Sequence, residues 1–268
     1  MKIVRYKTDT GAVYHGVQHS DTTARRLAGS IFDKPQITDT IDPISRLLAP
    51  LDPVTIFCIG LNYRLHAKET GAPIPEWPVL FLKSANTIQH PNDPIILPRH
   101  LASNKVDFEA ELVVVIGKEC KNVARENALR YVLGYTCGND VSARDWQKEF
   151  GGGQWCRGKT FDTFAPIGPC LVTTDEIPDP NALGIRCTLN GVTVQNDNTN
   201  GMIFDVPTLI AFLSGSTTLM PGTIIFTGTP AGVGMARTPP LWMKHGDTVS
   251  VSIDGIGTLT NPVINEKS

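Results

Sequence analysis

The run Asp107-Phe108-Glu109-Ala110-Glu111-Leu112-Val113-Val114-Val115-Ile116-Gly117 carries carboxylates at every second position and then passes into an unbroken apolar stretch. The apolar part reads as a strand buried on both faces, and alternate strand residues share a face. Asp107, Glu109 and Glu111 are therefore expected side by side at the entrance to a core strand. Like charges that close repel strongly in a partly buried setting unless they are protonated or bridged by a cation. Oxygen ligands with no histidine or cysteine nearby suit a hard divalent ion, Mg2+ before Zn2+, with Mn2+ or Ca2+ as substitutes. An edge strand with an acidic solvent face is the plainer reading of two alternate glutamates, and further motifs decide between them.

The 268 residues are 41% hydrophobic and 19% charged, with a net charge of -2 and no basic run. These values describe a globular protein with one large domain, or a main domain and a small appendage. Nucleic acid and anionic membranes are not expected partners. Apolar runs such as residues 112–116 and 209–213 fall far short of the roughly 20 residues needed to cross a bilayer. The N-terminus, Met1-Lys2-Ile3-Val4-Arg5-Tyr6, enters alternating strand-like sequence directly, with no targeting segment visible. Six cysteines (Cys58, Cys120, Cys137, Cys156, Cys170 and Cys187) form no C-x-x-C pair, which predicts reduced, mostly buried thiols in an intracellular protein.

Residues 2–17 read as a hairpin across Asp9-Thr10-Gly11, followed by two short helical patterns at residues 21–28 and 43–48. Pro50 and Asp52-Pro53 then close a small N-terminal module, residues 1–53, ahead of a main domain over residues 54–268. Strands are predicted at residues 55–59, 79–82, 109–116, 133–138, 168–172, 185–195, 223–226 and 248–260, with Asn190-Gly191 and Asp254-Gly255 as hairpin turns. Helical patterns cover residues 124–132 and 206–213, the second with Asp205 as N-cap, Pro207 in the first turn and Gly215 as a stop. Strands and helices do not alternate regularly, so the expected class is α+β, mainly β.

Gly153-Gln154-Trp155-Cys156-Arg157-Gly158-Lys159-Thr160 matches the P-loop pattern letter for letter. A phosphate cradle needs a hydrophobic strand leading into the loop and a helix leaving it. Residues 147–152 are polar and glycine-rich, and Pro166, Gly168 and Pro169 interrupt the segment on the C-terminal side. Nucleotide hydrolysis is rejected on that context. Asp140, between a strand pattern and a helical pattern, would be a helix N-cap if taken alone. With Glu109 and Glu111 it supplies a third carboxylate for an oxygen site open to water and a chelating substrate.

Six ordered blocks carry a resemblance: Ile59-Gly60-Leu61-Asn62-Tyr63-x-x-His66-x-x-Glu69, Pro78-Val79-Leu80-Phe81-Leu82-Lys83, Phe108-Glu109-Ala110-Glu111-Leu112, Asn139-Asp140-Val141-Ser142-Ala143-Arg144-Asp145, Gly158-Lys159-Thr160-Phe161-Asp162 and Thr227-Gly228-Thr229-Pro230-x-Gly232-Val233-Gly234. The chain resembles the fumarylacetoacetate hydrolase superfamily, and within it Gly158-Lys159-Thr160-Phe161-Asp162-Thr163-Phe164-x-Pro166-x-Gly168-Pro169, Asn198-Thr199-Asn200-x-Met202 and the Pro239-Pro240 insertion look most like the mitochondrial domain-containing branch associated with oxaloacetate keto-enol tautomerisation. The resemblance implies a mixed β-sandwich roll of the family's C-terminal type, a homodimer, and Glu109, Glu111 and Asp140 as ligands of Mg2+ or Mn2+. Asp107 lies outside that ligand set. It implies a small 2-oxo acid substrate, chelated so that a metal-stabilised enolate forms, and a location in the cytoplasm or mitochondrial matrix. Acylpyruvate-type C–C hydrolysis and oxaloacetate decarboxylation use the same parts and stay open, as does a catalytically silent binding protein.

Within this frame Lys159 is a fixed cation for developing negative charge. His66 and Glu69, three apart on a short helix, form an acid-base pair: a proton shuttle in a tautomerase, a water activator in a hydrolase. The segment from Asn62 to Pro75 reads as a lid. Arg144 and Gln147 are candidates for a second substrate carboxylate or oxo group, with Asp145 or Glu149 as rival partners for Arg144. Gly228 and Thr229 are candidates for the C1 carboxylate, and Tyr63 and Lys83 for the pocket wall.

Overall fold

The computed structural model describes residues 1–267. The apolar run becomes the strand Ala110–Ile116, buried at every position. Leu112, Val114 and Ile116 enter one apolar core, and Val113 and Val115 enter another on the opposite face. Burial on both sides is why no polar residue follows Glu111 in the strand. Val132–Asn139 and Thr223–Phe226 flank it, both antiparallel. Thr223–Phe226 pairs in parallel with Thr55–Gly60, and Val79–Lys83 follows at the sheet edge. On the other side come Ala165–Thr173 and then the N-terminal strands Lys2–Lys7, Val13–Gln18, Thr23–Ala28 and Gln36–Pro43, completing the main path of a twelve-stranded sheet.

A five-stranded sheet runs in the order Val192–Asn198, Gly184–Leu189, Thr248–Ile253, Gly257–Asn265 and Ile95–Leu97. Its Ile185, Cys187, Val251 and Leu259 share the core that holds Leu112 and Val114. The chain is thus mainly β, with two sheets over a common core, as the sequence predicts. The Asn190-Gly191 turn forms as expected, both residues having positive φ, 52° and 79°. The helix Val206–Ser214 starts at Asp205, whose carboxylate accepts from the Thr208 amide.

Three local expectations change. Residues 21–28 are not helical: they contain the strand Thr23–Ala28, paired with Val13–Gln18 and Gln36–Pro43. A register shift between Arg25 and Leu27 puts Ala24 and Leu27, three apart, into buried positions, so a bulged strand imitates helical spacing. Residues 43–48 are likewise extended, Arg46–Leu48 pairing with Lys2–Lys7, because pairing to a neighbouring strand outweighs a short local pattern. Residues 124–132 form a 3-10 helix, Arg125–Tyr131. All six cysteines are free, and all but Cys156 are buried.

One polar cluster ties the N-terminal strands together. Asp42 accepts hydrogen bonds from Tyr6 Oη at 2.6 Å and from Arg26 Nε and Nη2 at 2.8 and 2.7 Å. The Arg26 bonds hold the Asp42 carboxyl below its ordinary value of 3.8, against a smaller opposing effect of burial. A depressed carboxyl contributes stability that is present above its unfolded pKa and lost as pH falls through its folded value. Asp42→Asn is therefore expected to lower the urea midpoint at neutral pH. The gap to the native chain should close as acid is added below 3.8.

Candidate active site

Strand register brings the carboxylates together. Ala110 lies opposite Asn139, and three residues earlier Asp107 lies opposite Ser142. The register is the same on both sides of the break, so Glu109 falls opposite Asp140, whose amide donates to the Glu109 carbonyl at 2.9 Å. Directly opposed residues project to one face, and Glu111 follows two positions along on that face. Glu109, Glu111 and Asp140, all buried, present oxygens within 4.8 Å of one another. Asp140 is not a helix cap: the helix Arg144–Lys148 starts after Ala143.

Three buried cations answer these acids. Lys159 Nζ donates to Glu109 Oε2 and Asp140 Oδ2, each at 2.7 Å. Arg144 donates to Glu109 Oε1 at 2.6 Å, to Asp107 Oδ2 at 2.9 Å and to Gln147 Oε1 at 3.0 Å, and so pairs with neither Asp145 nor Glu149. Lys83 Nζ stands 2.7 Å from Asp140 Oδ1. Its N–H groups are nonetheless directed to the carbonyls of Val141, Lys159 and Phe164, so Asp140 Oδ1 accepts no hydrogen bond.

Four buried carboxylates thus face three cations, and the surplus negative charge falls unevenly. Burial would raise Glu109, but Arg144 and Lys159 outweigh it and hold that carboxyl well below the usual range. Glu111 is pushed well above its ordinary value by burial, then by Asp140 and Glu109. Its one hydrogen bond is from the Gly228 amide at 2.7 Å. Asp107 is raised by burial and drawn back by Arg144. It also accepts from the amides of Phe108, Gly234 and Met235, which explains why it stands behind the cluster. An all-oxygen set with surplus negative charge fits a hard divalent cation.

A cavity of about 210 Å³ opens beside the cluster, lined by Glu109, Glu111, Lys159, His66, Trp155 and Thr229 among others. His66 lies on the short helix Arg64–Thr70, its Nδ1 3.1 Å from Glu69 Oε2. Glu69 in turn accepts from the Gly232 amide at 2.8 and 3.0 Å. At the base of this helix Asn62 is fully buried, donating to the carbonyls of Phe204 and Thr227 and accepting from the Phe204 amide. Gly228 must be glycine, since its φ is +100° and a Cβ there would lie 2.6 Å from Asn62 Cβ.

Of the remaining sequence candidates, Arg144, Gln147 and Thr229 line the cavity; the Arg144 guanidinium, the Gln147 Oε1 and the Thr229 hydroxyl are engaged. The Thr229 hydroxyl donates to the Ala110 carbonyl and accepts from Gln195 Nε2. The Gly228 amide serves Glu111 instead of standing free for a substrate carboxylate. Lys83 and Tyr63 do not line the cavity, contrary to expectation: Lys83 is buried beneath Asp140, and Tyr63 sits inside the core with its hydroxyl unbonded. The P-loop-like run forms no cradle, because Lys159 turns inward to the carboxylates. Gln195 escaped the sequence reading. It takes the Ala110 amide on Oε1 and donates to Thr229 Oγ1 and the Pro230 carbonyl, joining the ligand strand to the turn after Thr223–Phe226. A glutamine in a β pattern carries no signal of such a role.

Comparison with known proteins places this site in its class. Residues 55–264 match the family model for the fumarylacetoacetate hydrolase C-terminal domain, and residues 1–50 match a model described as Rv2993c-like, N-terminal. The chain belongs to the fumarylacetoacetate hydrolase family and is an enzyme of the isomerase and hydrolase kind that the family's named members represent. It is 50% identical over 243 residues to a Xenopus laevis protein named oxaloacetate tautomerase fahd2, mitochondrial, covering 90% of this chain and 75% of that one. It is 43% identical over 259 residues to Homo sapiens oxaloacetate tautomerase FAHD2A, mitochondrial, covering 96% and 80%. The solved 2-hydroxyhepta-2,4-diene-1,7-dioate isomerase from Mycobacterium marinum superposes with a TM-score of 0.86 at 42% identity over the whole of both chains.

The cluster makes a separable prediction for two carboxylates. Burial, Asp140 and Glu109 all disfavour the charged form of Glu111, so Glu111→Gln should leave metal-free stability within about 1 kcal/mol of native. It should abolish the stabilisation expected of the native chain on adding a divalent cation such as Mg2+, about 2.7 kcal/mol at a hundredfold excess over Kd. Glu109→Ala removes one carboxylate each from Arg144 and Lys159, leaving them on Asp107 and Asp140, and should cost about 1–3 kcal/mol without any metal present. Urea unfolding with and without Mg2+ checks both.

Proposed function

We propose that this chain is an oxaloacetate keto-enol tautomerase that uses Mg2+, held by Glu109, Glu111 and Asp140. The observation that carries the reading is the convergence, on one cavity of about 210 Å³, of Glu109, Glu111, His66 and Lys159, with Asp140 beside the two glutamates and Glu69 behind His66. The relatives named oxaloacetate tautomerase support the substrate. A cavity below the roughly 300–1,000 Å³ of drug-sized sites suits a small acid.

When bound, the cation supplies Lewis-acid polarisation of the substrate's 2-oxo oxygen. Glu69 fixes the His66 ring through Nδ1, which leaves Nε2 to handle a proton. His66 takes the proton from C3, the C–H electron pair becomes the C2=C3 double bond, and the proton is delivered to the 2-oxo oxygen. Two of the three Lys159 N–H groups are engaged by Glu109 and Asp140. The third is free to donate to the oxygen on which charge grows. Trp155, packed edge-on to Phe81 at 5.8 Å, and Ile59 give the cavity an apolar wall that limits water.

The same reading includes a homodimer, supported by the edge strand Val79–Lys83, which leaves Leu80 and Leu82 each 45% exposed. It also includes an intracellular location, supported by the mitochondrial names of the relatives. No helix among the described residues is long and apolar enough to cross a membrane.

Decay of enol-oxaloacetate absorbance, followed beside pyruvate release and acylpyruvate cleavage, tests the assignment. Accelerated decay that EDTA abolishes, without pyruvate release, is expected; comparable cleavage of acylpyruvates would replace tautomerisation with C–C hydrolysis. His66→Ala should retain Mg2+ stabilisation while losing about 10²- to 10⁴-fold in turnover. Native turnover in that variant would remove His66 from the mechanism.

A further inference from the structure

The substrate of the proposed reaction carries a carboxylate at each end, and the carboxylate cluster with its cation can account for only one of them. The second needs a positive group on the cavity wall. Arg144 and Gln147 are the sequence candidates; the Arg144 guanidinium is tied to Asp107, Glu109 and Gln147, and Gln147 carries no charge. Lys159 holds Glu109 and Asp140 and, in the proposed reaction, directs its third N–H to the 2-oxo oxygen, and His66 is tied to Glu69. Among the described residues that line the cavity, Lys148 is the one basic side chain with no hydrogen bond or ion pair.

Its placement follows from the helix Arg144–Lys148. Residues three and four apart share a helix face, and Arg144, Gln147 and Lys148 all line the cavity. Lys148 is the last of them and is exposed, so its ammonium stands at the rim while Arg144 is buried at the floor. The adjacent acid, Glu149, does not compete for it, because Lys105 Nζ holds that carboxylate at 2.6 Å. Partial burial and then the charge of Arg144 lower the Lys148 ammonium from its ordinary value, the state of a cation still lacking its anion.

We infer that Lys148 binds the distal carboxylate of the substrate and selects 2-oxo dicarboxylates over 2-oxo monocarboxylates, an inference that rests on the proposed tautomerase reading. The contact is a charged hydrogen bond near solvent, made by a long flexible stem that reaches across the cavity mouth. It contributes to ground state and transition state alike, so it appears in KM and leaves kcat nearly unchanged.

The test uses the Mg2+-loaded chain and two probes that share the 2-oxo carboxylate end, oxaloacetate and pyruvate. Lys148→Met should raise KM and the calorimetric Kd for oxaloacetate about tenfold, with kcat within about threefold and pyruvate affinity unchanged; Lys148→Arg should restore most of the loss. An unchanged oxaloacetate Kd, an equal weakening of both probes, or a native chain that binds oxaloacetate no more tightly than pyruvate would each overturn the assignment. The binding arm is independent of turnover. A native chain that prefers oxaloacetate, loses the preference in Lys148→Met and yet fails to tautomerise it would refute the tautomerase reading alone.

Discussion

The structure depends on a deliberate electrostatic imbalance: Glu109 and Asp140 opposed across a strand pair, Glu111 beside them, and too few cations to neutralise all the buried acids. Burial makes each of these charges costly unless it is paired. The surrounding chain is arranged to supply that pairing. Lys159 bridges two of the acids, Arg144 locks Glu109 to Asp107, and Lys83 is fixed by three carbonyls beneath Asp140. The imbalance falls on Glu111, whose carboxyl is raised by burial and by Asp140 and Glu109.

The groups assigned to the proposed reaction differ in where they are held. The carboxylates and Lys159 are anchored in the sheet and its immediate support, so their positions follow from strand register and a packed core. His66 and Glu69 ride on one short helix, joined to the rest by the Glu69 contact with the Gly232 amide and by the Asn62 network at its base. The αL residue Gly71 ends that helix. This division suits catalysis in which a rigid anionic floor orients a substrate and a lighter flap brings in the acid-base group.

Much of this was legible from residue order. Alternating acids before a two-sided apolar strand announced an oxygen site, and the spacing of His66 and Glu69 announced their contact. The turns at Asn190-Gly191 and Asp254-Gly255 and the cap at Asp205 were read from turn and capping chemistry. Other features misled for physical reasons. A bulge gave the strand Thr23–Ala28 a helical spacing. Tyr63 and Lys83 belonged to recognisable blocks but were drawn inward by packing and by the need to pair a buried charge. Gln195 and Lys148 gave no signal, since a glutamine's three bridging bonds and a lysine's lack of a partner exist only in three dimensions.

The sequence by itself determined the mainly β class, the family, and which acids, histidine and lysine were candidates, because local periodicity and residue chemistry are written along the chain. Only the tertiary structure decided that Asp107 stands behind the site, that Arg144 is a structural clamp, and that Lys148 remains unpaired. Those outcomes depend on which charges meet across strands 30 or more residues apart, and burial energies of that kind arise only once the sheets have closed around them.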